Sequence, residues 1–162
     1  MTLHIVFSLG TAEYSLPVAA ILQMETFTGA TLVPGAADYV AGIVTVRGQV
    51  VPVIDLRLRF GLPAAALTLD TRIIVTEDKG RVVALRVDSA REVIELDVQK
   101  HQSAPSVISD RSSGFVYAVH ALGQRLLLLI DLQKILGESS HDHPSLALPD
   151  DDGSKARPQL PG

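Results

Sequence analysis

Short apolar runs, broken by Gly, Pro and Asp, fill the chain from its start to about Leu136. Their lengths and β-branched content predict strands at 3–9, 13–16, 21–27, 42–46, 50–54, 72–77, 81–87, 91–96, 114–121 and 124–130. Turn signals such as Glu77-Asp78-Lys79-Gly80 and Leu122-Gly123-Gln124 join neighbours as antiparallel hairpins, which favours barrels or a sandwich over a βαβ sheet. Helices should be short: one turn within Gly35–Ala41 after Pro34, with Pro63–Leu67 as a connector.

One stretch, Gly42-Ile-Val-Thr-Val-Arg-Gly-Gln-Val-Val-Pro-Val-Ile-Asp-Leu-Arg-Leu-Arg-Phe-Gly61, predicts strand, tight turn, strand and capped short helix in succession. Gly48 can take the positive φ that hairpin turns demand, which puts Arg47 at the rim of a sheet. There its planar fork of donors either meets a partner or is merely solvated. Val51-Pro-Val-Ile-Asp-Leu-Arg-Leu-Arg-Phe-Gly61 is echoed by Leu127-Leu-Leu-Ile-Asp-Leu-Gln-Lys-Ile-Leu-Gly137. Asp55 and Asp131 each stand where a helix N-cap belongs, so the echo predicts two similar β subdomains.

Composition narrows the function. Of 162 residues, none is cysteine, which removes disulfides and thiolate chemistry and suits a reducing compartment. No apolar run approaches the roughly 20 residues that span a bilayer, and the N-terminus reads as a first strand, so a cytoplasmic chain is expected. Net charge is −4, but two basic and five acidic residues from Gly137 onward leave the body at only −1. Such a body, with no Trp, is ill suited to phosphates or stacked bases, and nucleic-acid binding is not expected. Four of the nine prolines crowd the last nineteen residues, so 139–162 reads as a disordered tail after a 1–138 domain.

Candidate chemistry is sparse. Asp88 and Asp131 are the carboxylates that a small hydrolase could use, yet Asp131 has a capping role and neither belongs to a recognisable dyad. The histidines, His4, His101, His120, His141 and His143, form no zincin pattern, and His4 and His120 read as strand residues. Nucleophile-elbow, Walker and dinucleotide signatures are missing, so neither a metal nor a cofactor is expected and binding is favoured over catalysis.

The Gly42–Gly61 stretch resembles the signature hairpin of the CheW family, coupling proteins of bacterial chemosensory arrays. Arg81-Val-Val-Ala-Leu-Arg-Val-Asp-Ser-Ala-Arg-Glu-Val-Ile-Glu-Leu96 is similar to the family's Val-Asp strand pair, and Leu122–Leu136 to its closing strand and helix. Phe7–Pro17 and Ile21-Leu-Gln-Met24 match its opening strands, so the resemblance spans roughly 3–137. It implies an all-β fold of two five-stranded SH3-like β-barrel subdomains with short helices. It also implies a non-catalytic adaptor that binds a chemoreceptor's cytoplasmic tip and the regulatory domain of a CheA-type histidine kinase, at membrane-associated receptor arrays but without membrane insertion. Its partner-binding residues would be Gln23, Val46, Arg47, Gly48, Gln49, Val50 and Val87. The 26 residues after Leu136 leave no room for the extra domains of CheA or CheV relatives, so a stand-alone module is expected.

Departures from the family pattern cluster at that surface. Thr45-Val46-Arg47-Gly48 stands where Asn-Leu-Arg-Gly is common, and Gln23 replaces a usual acidic residue. Gln23 could hydrogen-bond Arg47 but would lack the charge-assisted term. Ala84, Arg86 and Ala90 also depart, which suits an alternative chemosensory pathway or an insulator that binds only the kinase.

Overall fold

The computed structural model describes residues 1–111 and 114–137. In chain order its elements are β1 (Thr2–Leu9), β2 (Ala12–Pro17), β3 (Ile21–Thr26), β4 (Val40–Val46), β5 (Gln49–Asp55), α1 (Leu56–Arg59), β6 (Arg72–Asp78) and β7 (Arg81–Val87). There follow β8 (Ser89–Leu96), β9 (Gln102–Ser103), α2 (Ser106–Arg111), β10 (Val116–Leu122), β11 (Arg125–Ile130) and α3 (Leu132–Leu136). All ten expected strands are present. The expectation missed β9, α2 and two 3-10 turns, Val18–Ala20 and Val98–Lys100, all too short to leave a periodic signature. Gly35–Ala41 is not helical: it makes two isolated turns, Ala36 N–H to Val33 O and Val40 N–H to Ala37 O, with Gly35 at φ 84°. The expected tail at 139–162 lies outside the described residues.

The strands form two sheets. One has the order β3-β6-β7-β5-β4; the other, β8-β1-β2-β11-β10-β9, has a sixth, two-residue strand beyond the expected five. The second subdomain, β3–β7, is therefore inserted between β2 and β8 of the first. Only Asp88 separates β7 from β8, so the chain passes from one sheet to the other without a loop. Each sheet contains one parallel pair. Val53, Ile54 and Asp55 of β5 run beside Ala84, Leu85 and Arg86 of β7; Leu127–Leu129 of β11 run beside Glu13–Ser15 of β2. The two echoed segments thus occupy equivalent places.

The main core lies between the subdomains. Ile5, Phe7, Leu9, Tyr14 and Leu16 from the first sheet pack with Ile54, Ile74, Leu85 and Val87 from the second and Leu56 of α1 in one buried cluster. Each barrel interior is smaller: Phe27, Val46, Val51, Val53, Ile73, Val75 and Ala84 in one, and Val6, Leu96 and Leu127 in the other. Successive side chains on a strand point to opposite faces, so β6 buries Ile73 and Val75 in its own barrel and Ile74 in the shared core. This is why runs such as Ile73-Ile-Val75 are apolar without alternation, as in any sheet covered on both faces.

Asp55 accepts N–H bonds from Arg57 (3.0 Å) and Leu58 (3.4 Å) and has Arg86 at 3.7 Å, whereas Asp131 accepts only from Lys134 (3.2 Å). Asp55→Ala should lower stability by about 2 kcal/mol and Asp131→Ala by about 1 kcal/mol in urea denaturation. Equal losses would show that Arg86 adds nothing to the first cap. Gly42, at φ 141°, is pressed against the bridge that Thr31 makes with Ile43; a Cβ there would lie 2.2 Å from the Thr31 carbonyl oxygen. Gly42→Ala should destabilise by about 2 kcal/mol or more, and a smaller change in urea midpoint would mean the 27–39 segment simply shifts away.

Candidate functional site

The β4–β5 hairpin closes through a two-residue turn in which Arg47 (φ 51°) and Gly48 (φ 79°) both take positive φ, between the paired residues Val46 and Gln49. This is the turn whose twist matches that of its flanking strands. Lys79 (φ 52°) and Gly80 (φ 83°) repeat it in the β6–β7 hairpin, so the Arg47 backbone answers to hairpin twist rather than to function.

The side chain sets Arg47 apart. Among the described residues its guanidinium has no hydrogen-bond or ion-pair partner, whereas every other arginine whose side chain is described is engaged. Arg57 holds Asp88; Arg59 donates to the Ile135 and Lys134 carbonyls; Arg72 donates to Leu69; Arg86 donates to Ala65. Arg81 faces Asp78, Arg91 faces Asp70, and Arg125 holds Glu13 and Glu92. Arg47, Gly48, Gln49 and Val50 are all exposed, and Val50, 58% exposed, is an apolar side chain on the same tip. The tip therefore offers five unused donors beside a greasy spot.

Two of the expected contact residues are buried. Val87 is 1% exposed and packs in the shared core; Val46 is 6% exposed and packs inside the second barrel. Strand alternation turns both side chains inward, beneath the surface the others form. Gln23, half-buried on β3, donates its amide to Glu25 rather than to Arg47. Between the end of β3 and β4 lies a polar trough lined by Glu25, Phe27, Thr31, Ile43 and Thr45. A second groove, about 460 Å³, runs between the subdomains: Leu16, Pro17, Ala20, Tyr117 and Leu132 line it, and Glu77 and Asp78 of the β6–β7 hairpin border it.

Asp88 sits at the crossing from β7 to β8. Its carboxylate accepts from Arg57 Nε (2.9 Å) and Nη2 (2.6 Å) and from the Gly10 N–H (2.7 Å) in the β1–β2 turn. The Arg57 hydrogen bonds, above all, hold this carboxyl below its usual value, against the opposing effect of burial. The sequence alone offered no way to pair residues so far apart. Asp131 is occupied as the N-cap of α3. No three His, Asp or Glu among the described residues converge on a metal position, and no described helix is long and apolar enough to cross a membrane. His141 and His143 lie outside the described residues.

The CheW-like domain matches residues 4–140 of this chain. The chain belongs to that family. It is 34% identical over 136 residues to the chemotaxis protein CheW of Bacillus subtilis, covering 84% of this chain and 87% of that protein. With the chemotaxis protein CheW of Rhizobium meliloti it shares 33% over 131 residues, 81% and 84% of the two chains. The crystal structure of the scaffolding protein TtCheW from Thermoanaerobacter tengcongensis superposes with a TM-score of 0.78 at 28% identity, covering 85% of this chain and 89% of that one. The two-sheet CheW-like architecture is thus shown by both sequence and fold.

Asp88→Asn should cost about 1 kcal/mol at neutral pH, because the bidentate pair is charge-assisted but partly solvated. A carboxyl held low in the folded state stabilises above its unfolded value, near 3.8, and loses that contribution as pH falls through the lowered folded value. The gap between wild type and Asp88→Asn in urea midpoint should therefore close in acid. A gap that persists below about pH 2 would show that Asp88 acts through packing instead.

Proposed function

We propose that this CheW-like chain is a non-catalytic adaptor that couples a chemoreceptor of the methyl-accepting type to a CheA-type histidine kinase in a bacterial chemosensory array. The observation that carries the reading is the unpartnered Arg47 fork beside exposed Val50 on a rigid two-residue turn, in a chain whose other described arginines are all internally engaged. Arginine with an adjacent apolar side chain is the composition of an interface anchor. Kinase docking falls to residues 47–50, through the regulatory domain. The receptor's helical tip occupies the groove between the subdomains, where Pro17, Ala20 and exposed Tyr117 can receive i, i+3 and i+4 anchors. Residues 1–138 act as the binding unit and 139–162 as an appended tail.

Weak individual contacts suffice in such an assembly, because a chain held at one site meets its second partner at high effective concentration. The array, rather than the adaptor alone, then sits at the membrane. A second reading, an insulator that binds the kinase and not the receptor, is favoured by Arg86, a departure from the family pattern whose guanidinium donates to the Ala65 carbonyl.

Full-length chain and Arg47→Glu, used as bait in the native cytoplasm, separate these readings. Recovery of a CheA-type kinase together with a chemoreceptor supports coupling, and the kinase's affinity in titration should fall about tenfold or more in Arg47→Glu with unchanged circular dichroism. Kinase without receptor supports the insulator. Recovery of neither by a folded bait, or equal affinity of both proteins, overturns the role of the hairpin tip.

A further inference from the structure

Three histidines that no docking surface uses meet inside the first barrel. His4 on β1 is 2% exposed and His120 on β10 is 4% exposed; His101, half-buried, stands between them just before β9. The His4 and His101 rings are 6.0 Å apart at 83°, and His101 and His120 are 5.1 Å apart at 87°, an edge-to-face stack. His4 Nδ1 bonds the Thr2 carbonyl, while the buried His101 Nε2 and His120 Nδ1 have no partner among the described residues. The stack does not converge on a metal position.

The segment that His101 anchors joins the first sheet through few strand pairs. β9 is two residues long and pairs only Gln102 with Val119 and Ser103 with Ala118. Beyond it Ala104 donates to Tyr117 O, and Ala104 and Ile108 lay partly buried side chains on the shared core. We infer that the His4–His101–His120 stack is an acid-labile fastening, which holds residues 97–111 against the first sheet while the His4 and His101 rings are neutral and releases them when these are protonated.

The physical ground is that rings this close and this buried cannot all carry charge. Burial, opposed for His4 by the Thr2 carbonyl and joined for His101 by the other two rings, holds both imidazoles below their ordinary value. Asp97 is the one carboxylate acting on His101 in the opposite sense, and it is also the acceptor for Gln99 N–H. The registered neighbours are uncharged: Pro17 of β2 and Ile94 of β8 stand opposite His4, and Leu127 of β11 stands opposite His120. Lowered imidazoles mean that the open segment binds more protons than the closed one. Closure is therefore complete above about pH 6.5 and is lost as pH falls below it.

Hydrogen exchange read by mass spectrometry on the full chain, with a chelator present, tests this. After correction for intrinsic exchange, the opening constant of the 97–111 amides should rise between about pH 7.5 and about pH 5.5 by about tenfold for each imidazole protonated only on opening. β5–β7 amides should not follow. In His101→Gln, and in His4→Phe, which keeps a ring in place, the pH dependence should shrink even if the baseline opening constant changes. A wild-type opening constant independent of pH, or the same dependence in both variants, overturns the proposal.

Discussion

The structure depends on the seam between its two subdomains, and the seam is built from the internal echo. Asp55 and Asp131 cap α1 and α3, and their own N–H groups donate to Tyr39 O (2.8 Å) and Phe115 O (2.7 Å) respectively. Arg59, four residues after the first cap, lays its guanidinium over both of those rings, 4.2 Å from Tyr39 and 4.9 Å from Phe115. Its Nε donates to the carbonyl of Ile135, four residues after the second cap. A cation thus meets the carboxyl end of the opposite helix, where the exposed carbonyls attract it, at a point where both halves present matching groups.

From that point the aromatic contacts continue, Phe115 to Phe60, Phe60 to Tyr14 and Tyr14 to Phe7, into the shared core. Neither barrel interior holds a comparable apolar mass, so the subdomains fold as one domain rather than as two linked ones. Asp88 adds a second tie, since it binds Gly10 of one subdomain and Arg57 of the other at the only residue between β7 and β8. Arg125, with Glu13 and Glu92, closes the rim of the first barrel across β8 and β2. The proposed function, two partners held at a fixed spacing, would draw on such a seam, because any freedom between the halves would be lost as entropy on binding.

Local features were legible in the sequence and long-range ones were not. The hairpin, the strand spacing and the equivalence of the Val51–Gly61 and Leu127–Gly137 segments follow from turn chemistry and from a repeated pattern. Which face of each strand points where does not follow, because strands buried on both sides lose the alternation that carries that information. Val87 and Val46 illustrate the failure: both lie within motifs that resemble a binding surface, and both point inward. The Arg57–Asp88 clasp spans 31 positions and the Arg125–Glu13 pair 112, separations at which no local pattern could have matched donor to acceptor.

The same contrast explains where function can reside in a domain of this kind. Arginines are expensive to order, and here every described arginine side chain but that of Arg47 is used in the fold: as a carbonyl cap, as carboxylate clasps, as a cover for Phe27 in the case of Arg86. An arginine left over on the most rigid kind of hairpin has already lost its backbone freedom, so only its side chain remains to be ordered by a partner. The histidine stack is the opposite case: it holds a short edge in place only while His4 and His101 remain neutral. A firm central seam with a conditional periphery lets the 97–111 edge loosen without moving the Arg47 tip, because the two lie on different sheets with the seam between them.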